Sequence, residues 1–196
     1  MGMTVTNSAG QITATPNANV TQYAKRTIFL SLVGGWTGTT LPDGGISIIE
    51  TSTNKVNWAG TKFVASANDA NHEFGFMMPP NYDGGTIAAK PVFWTASTDA
   101  SSHTIIFSLQ GVAFGDGDAL DAAYGTAQSS TVTVASSIAN VLKIGPVTPA
   151  ITIAGTPAGS KWIQIRTTRV GSDTHVGDII LLGWLISYTT NNYSDE

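Results

Sequence analysis

From "RTIFLSLVGG" onward, short runs of β-branched and aromatic residues alternate with polar positions and are cut by Gly, Pro, Asn and Asp at intervals of roughly 8–15 residues. The pattern predicts strands near 27–33, 45–51, 61–66, 73–78, 86–96, 103–114, 130–135, 140–145, 150–154, 161–170 and 178–189. No long stretch repeats apolar residues with a helical period. In "KWIQIRTTRV", Ile163 and Ile165 fall on one face and Gln164, Arg166 and Thr168 on the other, as in a half-buried strand. The last run, "DIILLGWLISYT", is apolar on both faces, so a second layer or another subunit must cover it. Ile180, Leu182, Trp184 and Ile186 are its candidate subunit contacts. This many antiparallel strands in one domain predicts an all-β fold, a jelly-roll or Greek-key β-sandwich.

Two turns share their chemistry. "LPDGGISIIE" at 41–50 and "NYDGGTIAAK" at 81–90 each set Asp-Gly-Gly before a strand, where glycine supplies the positive φ of a tight turn. Residues 1–26 are rich in Thr, Asn, Ala and Ser with few large apolar groups, and cannot alone offset the entropy of ordering. They read either as a disordered terminus or as an extended arm that orders against a neighbour, with the sandwich occupying 27–196. The N-terminal stretch lacks the basic start and long apolar run of a signal peptide, so secretion is not expected. The run "IILLGWLI" is far short of the roughly 20 residues that cross a bilayer, so no membrane partner is expected.

Composition sharpens the picture. Of 196 residues, only 11% are charged against 42% hydrophobic, less than half the roughly 25% charge of ordinary soluble domains. The surface is therefore built from Ser, Thr, Asn and Gly, which suits a sandwich or a subunit hidden in an assembly. A net charge of −4 with nine Lys and Arg provides no basic stripe for a phosphate backbone, so nucleic acid is not an expected partner. There is no cysteine, hence no disulfide or thiolate site.

Candidate chemistry is sparse. "GVAFGDGDALDAAYGTAQ" sets Asp116, Asp118 and Asp121 close together like the start of a calcium loop. An EF-hand needs oxygen ligands at loop positions 1, 3 and 5, glycine at 6 and Glu at 12, and Leu120, Asp121 and Ala127 break that pattern. The plainer reading has Asp118 capping a helical turn "ALDAAY" without metal; the alternative is a cation site of another type. "AGTPAGSKW" at 154–162 has the wrong glycine spacing for a phosphate loop and reads as a hairpin. His72, His103 and His175 show no ligand spacing and read as isolated surface or strand residues. Ser172, Asp173 and His175 crowd one loop, and no Gly-x-Ser-x-Gly elbow occurs. Glu50 and Glu73 fall at strand ends rather than as a facing pair. No enzyme and no cofactor are expected. Of five tryptophans, Trp184 reads as core, and Trp36 in "GGWTG" is the candidate for exposure and for glycan contact.

Residues from about 75 to 189 resemble a family of small virion proteins of tailed bacteriophages. The segments that carry the likeness are "MPPNYDGGTI", "PVFWTAS", "GVAFGDGDALDAAYGTAQ" and "AITIAGTPAGSKWIQIRTTRV" leading to "GDIILLGWLISY". The resemblance implies a jelly-roll module that assembles as a homotrimer and serves in capsid decoration (cement) or in tail and fibre structures. It implies a place on the capsid surface of the virion, the major capsid protein as partner, and no catalytic residues. On that footing the arm would attach to the capsid through Thr4, Val5, Ile12, Val20 and Tyr23. The alternative is a receptor- or carbohydrate-binding module of a tail or head fibre.

Overall fold

The computed structural model describes residues 24–37, 45–64, 71–136 and 139–191, and for 3–8 and 11–16 the course of the backbone. The alternating pattern is realised in strands β1 (Met3–Ser8), β2 (Gln11–Pro16), β3 (Ala24–Ser31), β4 (Trp36–Thr37), β5 (Ile46–Glu50) and β6 (Asn57–Phe63). These are followed by β7 (Asn71–Met77), β8 (Ala88–Thr95), β9 (His103–Phe114), β10 (Gln128–Val134), β11 (Leu142–Ile144), β12 (Trp162–Arg169) and β13 (Ile179–Thr190).

The strand order identifies the fold. One sheet runs β11-β8-β13-β6-β5 and the other β10-β9-β12-β7-β4, all pairings antiparallel. Eight consecutive strands, β6 to β13, thus divide between β6-β13-β8-β11 and β7-β12-β9-β10, changing sheet at every step but β9 to β10, which is a jelly roll. The added strand β3 lies beside β13, pairing from Gly183↔Ser31 to Thr190↔Ala24, while β6 occupies the same edge at Ile179–Leu181. Ala24, Lys25 and Arg26 therefore belong to the sandwich ladder rather than to an arm. Upstream, β1 and β2 pair as a hairpin from Met3↔Pro16 to Ser8↔Gln11.

Between the sheets lies one core, with Phe63, Phe93, Phe107, Leu109, Ile163, Ile165 and Trp184 all fully buried. Each such side chain contributes about 1.5–3 kcal/mol by leaving water. Phe107 meets Phe63 and Phe93 with ring centroids 5.6 and 5.7 Å apart, and Trp184 Nε1 donates to Thr167 Oγ1 at 3.1 Å.

In three places the chain departs from expectation. "ALDAAY" forms no helical turn: Asp118 Oδ2 instead accepts from Gly115 N–H at 2.7 Å, closing a tight turn ahead of the segment, which then runs irregularly to Gln128. Residues 150–154 make only isolated bridges, Ile87↔Ile151 and Val112↔Ala154, because the chain crosses here from one sheet to the other. Residues 154–162 are not a hairpin. Ala154 bonds Gly111 and Ala113 on one edge of β9, β12 lies on the other, and the intervening loop arches over the strand end. The Asp-Gly-Gly turn at 83–85 is present, with Gly84 at φ +78° and Asp83 Oδ1 accepting from Gly85 N–H at 2.8 Å. Of its counterpart at 43–45 only Gly45 falls among the described residues, at φ +55°.

Candidate functional site

On the outer face of β7, β12 and β9 the alternation brings Glu73, Gly75 and Met77 beside Trp162, Gln164 and Arg166. Gly75 decides the shape. A Cβ there would stand 2.1 Å from Trp162 Cζ2, so its absence lets the indole lie flat across the neighbouring strand. Trp162 Nε1 donates to Gln164 Oε1 at 3.1 Å, which fixes the ring in its plane while 43% of the residue stays exposed.

One wall of this platform is ionic. Arg166 Nε and Nη2 both reach Glu73 Oε1 at 2.7 Å, and the guanidinium carbon stands 4.3 Å over the ring of Tyr124. Burial, and then the Glu73 carboxylate that its hydroxyl bonds, push Tyr124 up to about 12, so the phenol stays a hydrogen-bond donor. The irregular segment after β9 closes the other side. Together they enclose a groove of 870 Å³ bordered by Met77, Phe114, Leu120, Tyr124, Trp162 and Gln164. That volume is within the roughly 300–1,000 Å³ of ligand sites. Asp116 and Asp121 line its rim, while Asp118 is engaged by Gly115. The arrangement offers an aromatic plate ringed by amide, carboxylate and guanidinium groups, suited to holding an amphipathic ligand.

Trp36 is 81% exposed, as its glycine-rich setting led us to expect, and sits on β4 in register with Glu73. It extends the same sheet face beyond the Glu73–Arg166 pair.

The histidines are all buried rather than at the surface; His72 and His103 do lie in strands, β7 and β9, as the sequence reading allowed, whereas His175 lies in a loop. His72 lies under Gly35, with Nε2 3.0 Å from Leu32 O. His103 and His175, 72 positions apart in sequence, stack with ring centroids 4.7 Å apart at the end of the sandwich where the β8–β9 and β12–β13 loops meet. Arg169 lies beneath them and is fully buried, bound to Asp173 through Nε–Oδ2 at 2.7 Å and Nη2–Oδ1 at 2.9 Å. It also donates to the carbonyls of Phe63, Val64, His175 and Gly177. Sequence reasoning missed this hub. The only local signals were Arg169 four residues before Asp173 and Asp99 four before His103, and nothing in the sequence says that these loops adjoin.

The candidate subunit contacts divide. A bulge between Leu181 and Gly183 shifts the alternation of β13, so Trp184 and Ile186 turn into the core whereas Ile180 and Leu182 lie on the outer face. Trp184 and Ile186 are therefore core residues and not subunit contacts, in keeping with the reading of Trp184 as core. Ile180 is itself covered, beside Trp94 and over Gly60. The outer face of this sheet nevertheless carries apolar patches around the exposed Lys90, since register places Phe29 against Leu185, Ile144 against Val92 and Leu142 against Trp94. Phe29 and Ile144 are 50% and 61% exposed. Of the arm's candidate contacts, Thr4, Val5 and Ile12 fall in β1 and β2, where only the backbone is described, and Val20 and Tyr23 lie outside the described residues.

No family model matches the chain, nor does any curated protein. Among solved structures it is similar to the CBM36-1 domain of a multidomain xylanase from the hindgut metagenome of Trinervitermes trinervoides, at 10% identity and a TM-score of 0.39 over 83% of this chain and 96% of that one. It is also similar to a chain of infectious bursal disease virus Gx strain (13% identity, TM-score 0.34, 98% of this chain and 39% of that one). A third is the K3 cleaved adhesin domain of Lys-gingipain from Porphyromonas gingivalis W83 (13%, 0.35, 83% and 99%). Likenesses this distant say nothing of function, and the jelly roll rests on the strand order.

Proposed function

We propose that the chain is a structural virion protein of a tailed bacteriophage, a decoration (cement) protein that assembles as a homotrimer on the major capsid protein. The observation that carries this reading is the exposed apolar side chains on the outer face of the β11-β8-β13-β6-β5 sheet, where Phe29, Leu142 and Ile144 stand in solvent on a chain with few charges. A second copy covering that face relieves the exposure. The resemblance of residues 75–189 to phage virion proteins supplies the setting, and the chain acts without catalysis, cofactor, nucleic acid or membrane. Light scattering should give a mass three times the 20.4 kDa of one chain, and Ile144→Glu combined with Phe29→Lys should yield a folded monomer. A chain lacking residues 1–23 should stay trimeric but no longer bind undecorated capsids. A monomeric parent, or undiminished capsid binding by the shortened chain, would overturn the proposal.

The Trp162 platform favours a second reading, a carbohydrate-binding module of a fibre, because an immobilised indole flanked by amide and charged groups suits the apolar face of a sugar ring. Glycan-array binding that is lost in Trp162→Ala and weakened in Trp36→Ala would establish it. Absence of any glycan signal would remove it.

A further inference from the structure

Asp99, His103 and His175 each place one ligand atom within 4.8 Å of the other two. The approach is built by the backbone. Thr104 N–H donates to Thr174 Oγ1 at 2.7 Å, and the amides of Thr174 and His175 both donate to Thr104 O at 3.1 Å, which draws His175 against the start of β9. Asp99 is held just as firmly, for Ser101 N–H and Oγ–H donate to its Oδ1 at 3.0 and 2.8 Å. Its Oδ2 is left turned towards the imidazoles, 3.4 Å from His103 Nδ1 and 3.7 Å from His175 Nδ1.

The cluster is chemically incomplete. The side chains of His103 and His175 are 2% and 0% exposed, yet His103 Nε2 and both ring nitrogens of His175 have no hydrogen-bond partner. A neutral imidazole carries one N–H and one lone pair, so His175 buries a donor and an acceptor that meet nothing. Buried polar groups are ordinarily satisfied, and a donor set of this kind without partners calls for an occupant. Charge points to a cation: Arg169 is matched by Asp173 in a bidentate pair, which leaves Asp99 as the unmatched charge of the cluster.

We propose that Asp99, His103 and His175 form a binding site for one divalent transition-metal ion of the zinc class. Two imidazoles and one carboxylate are a borderline-soft set that selects zinc, nickel, cobalt or copper over calcium and magnesium. Around a tetrahedral ion with bonds of about 2.0–2.2 Å, donor atoms stand roughly 3.5 Å apart. Asp99 Oδ2 and His175 Nδ1, 3.7 Å apart, already approach that spacing, and all three residues offer a ligand atom within 4.8 Å of the others. The N–H of His103 Nδ1 donates to the Ser101 carbonyl at 2.8 Å, which orients the ring and leaves its unpartnered Nε2 as the coordinating atom. Bound metal would staple the β8–β9 turn to the β12–β13 loop, and three protein ligands leave a fourth position for water.

The test uses the full chain without an oligohistidine tag, stripped with chelator and titrated with zinc chloride by calorimetry, with metal content counted per chain. One zinc per chain is expected, with a rise in melting temperature that calcium and magnesium chloride do not reproduce. Asp99→Asn and His175→Gln should each weaken zinc binding at least about 100-fold, while Asp116→Asn, in the other aspartate cluster, should leave it unchanged. Imidazole resonances of His103 and His175 in the parent protein should shift on adding zinc while those of His72 do not, a readout that survives if either variant fails to fold. No uptake at about 100 μM zinc, undiminished uptake in folded Asp99→Asn and His175→Gln, or unmoved resonances of His103 and His175 would overturn the proposal.

Discussion

Trp162 lies across Gly75 of the neighbouring strand so closely that a single methyl group at residue 75 would overlap the indole by more than an ångström. Replacing Gly75 with Val should therefore drive the ring off the sheet. Overpacking of this kind costs about 1–3 kcal/mol, and the displaced indole should change its fluorescence. Urea unfolding and emission spectra indistinguishable from the parent's would show that the platform does not depend on that glycine.

Arg169 should tolerate no neutral replacement. Its guanidinium is fully buried with an equally sequestered Asp173, and removing one partner of such a pair typically costs about 3–5 kcal/mol because the other charge is left without compensation. Arg169→Met should fold poorly or melt far below the parent. Arg169→Lys should rescue only part of the loss, since an ammonium cannot bind both Asp173 oxygens and four carbonyls at once. A melting temperature in Arg169→Met equal to the parent's would refute this.

Stability should fall on mild acidification, in part through His72. Burial lowers the pKa of this imidazole in the folded chain below its ordinary 6.5. Between the lowered value and 6.5 the unfolded chain binds more protons, so unfolding free energy rises with pH there, by at most about 1.4 kcal/mol per pH unit for one group, and levels off above 6.5. Urea melts between pH 5 and 8 should show this slope in the parent and a shallower one in His72→Gln. Parallel slopes would exclude His72 as a contributor.

The three clustered aspartates should behave unequally. Asp118 accepts the Gly115 amide, so Asp118→Ala should cost about 0.5–1.5 kcal/mol, the usual net worth of one hydrogen bond. Asp121 is exposed on the groove rim, and Asp121→Ala should stay within about 0.5 kcal/mol of the parent. Equal effects measured by chemical denaturation would mean that the turn at 115–118 is not held by Asp118.

These cases show what was legible beforehand. β9 was read to the residue, His103–Phe114, because β-branched and aromatic side chains recur along it and polar turn residues bound it. Inward Ile163 and Ile165 against outward Gln164 and Arg166 followed from the two-residue period alone. The period misled in β13, since a bulge changes which residues face inward without leaving a mark in the sequence. "ALDAAY" suggested a helix because Asp118 was assigned forward as a cap, whereas it bonds backward to Gly115. On this face the sequence had singled out Trp36, beyond the groove, and Asp116 and Asp121 on its rim; Trp162, Gly75 and Tyr124 come from separate segments that only the folded chain unites. The histidine cluster was invisible for the same reason.

Strand β3, beside β13, has a further consequence. Ala24 pairs with Thr190, so the first and last strands of the sandwich leave it side by side at one pole. Arg169, His103 and His175 occupy the other pole, where β13 begins. The sandwich is therefore built like a plug on a double lead: whatever is joined before residue 24 or after residue 191 departs from the same end. A permuted chain that links those two ends and opens at an exposed loop such as 52–55 should keep the jelly roll, because it changes the order of connection and no strand pairing.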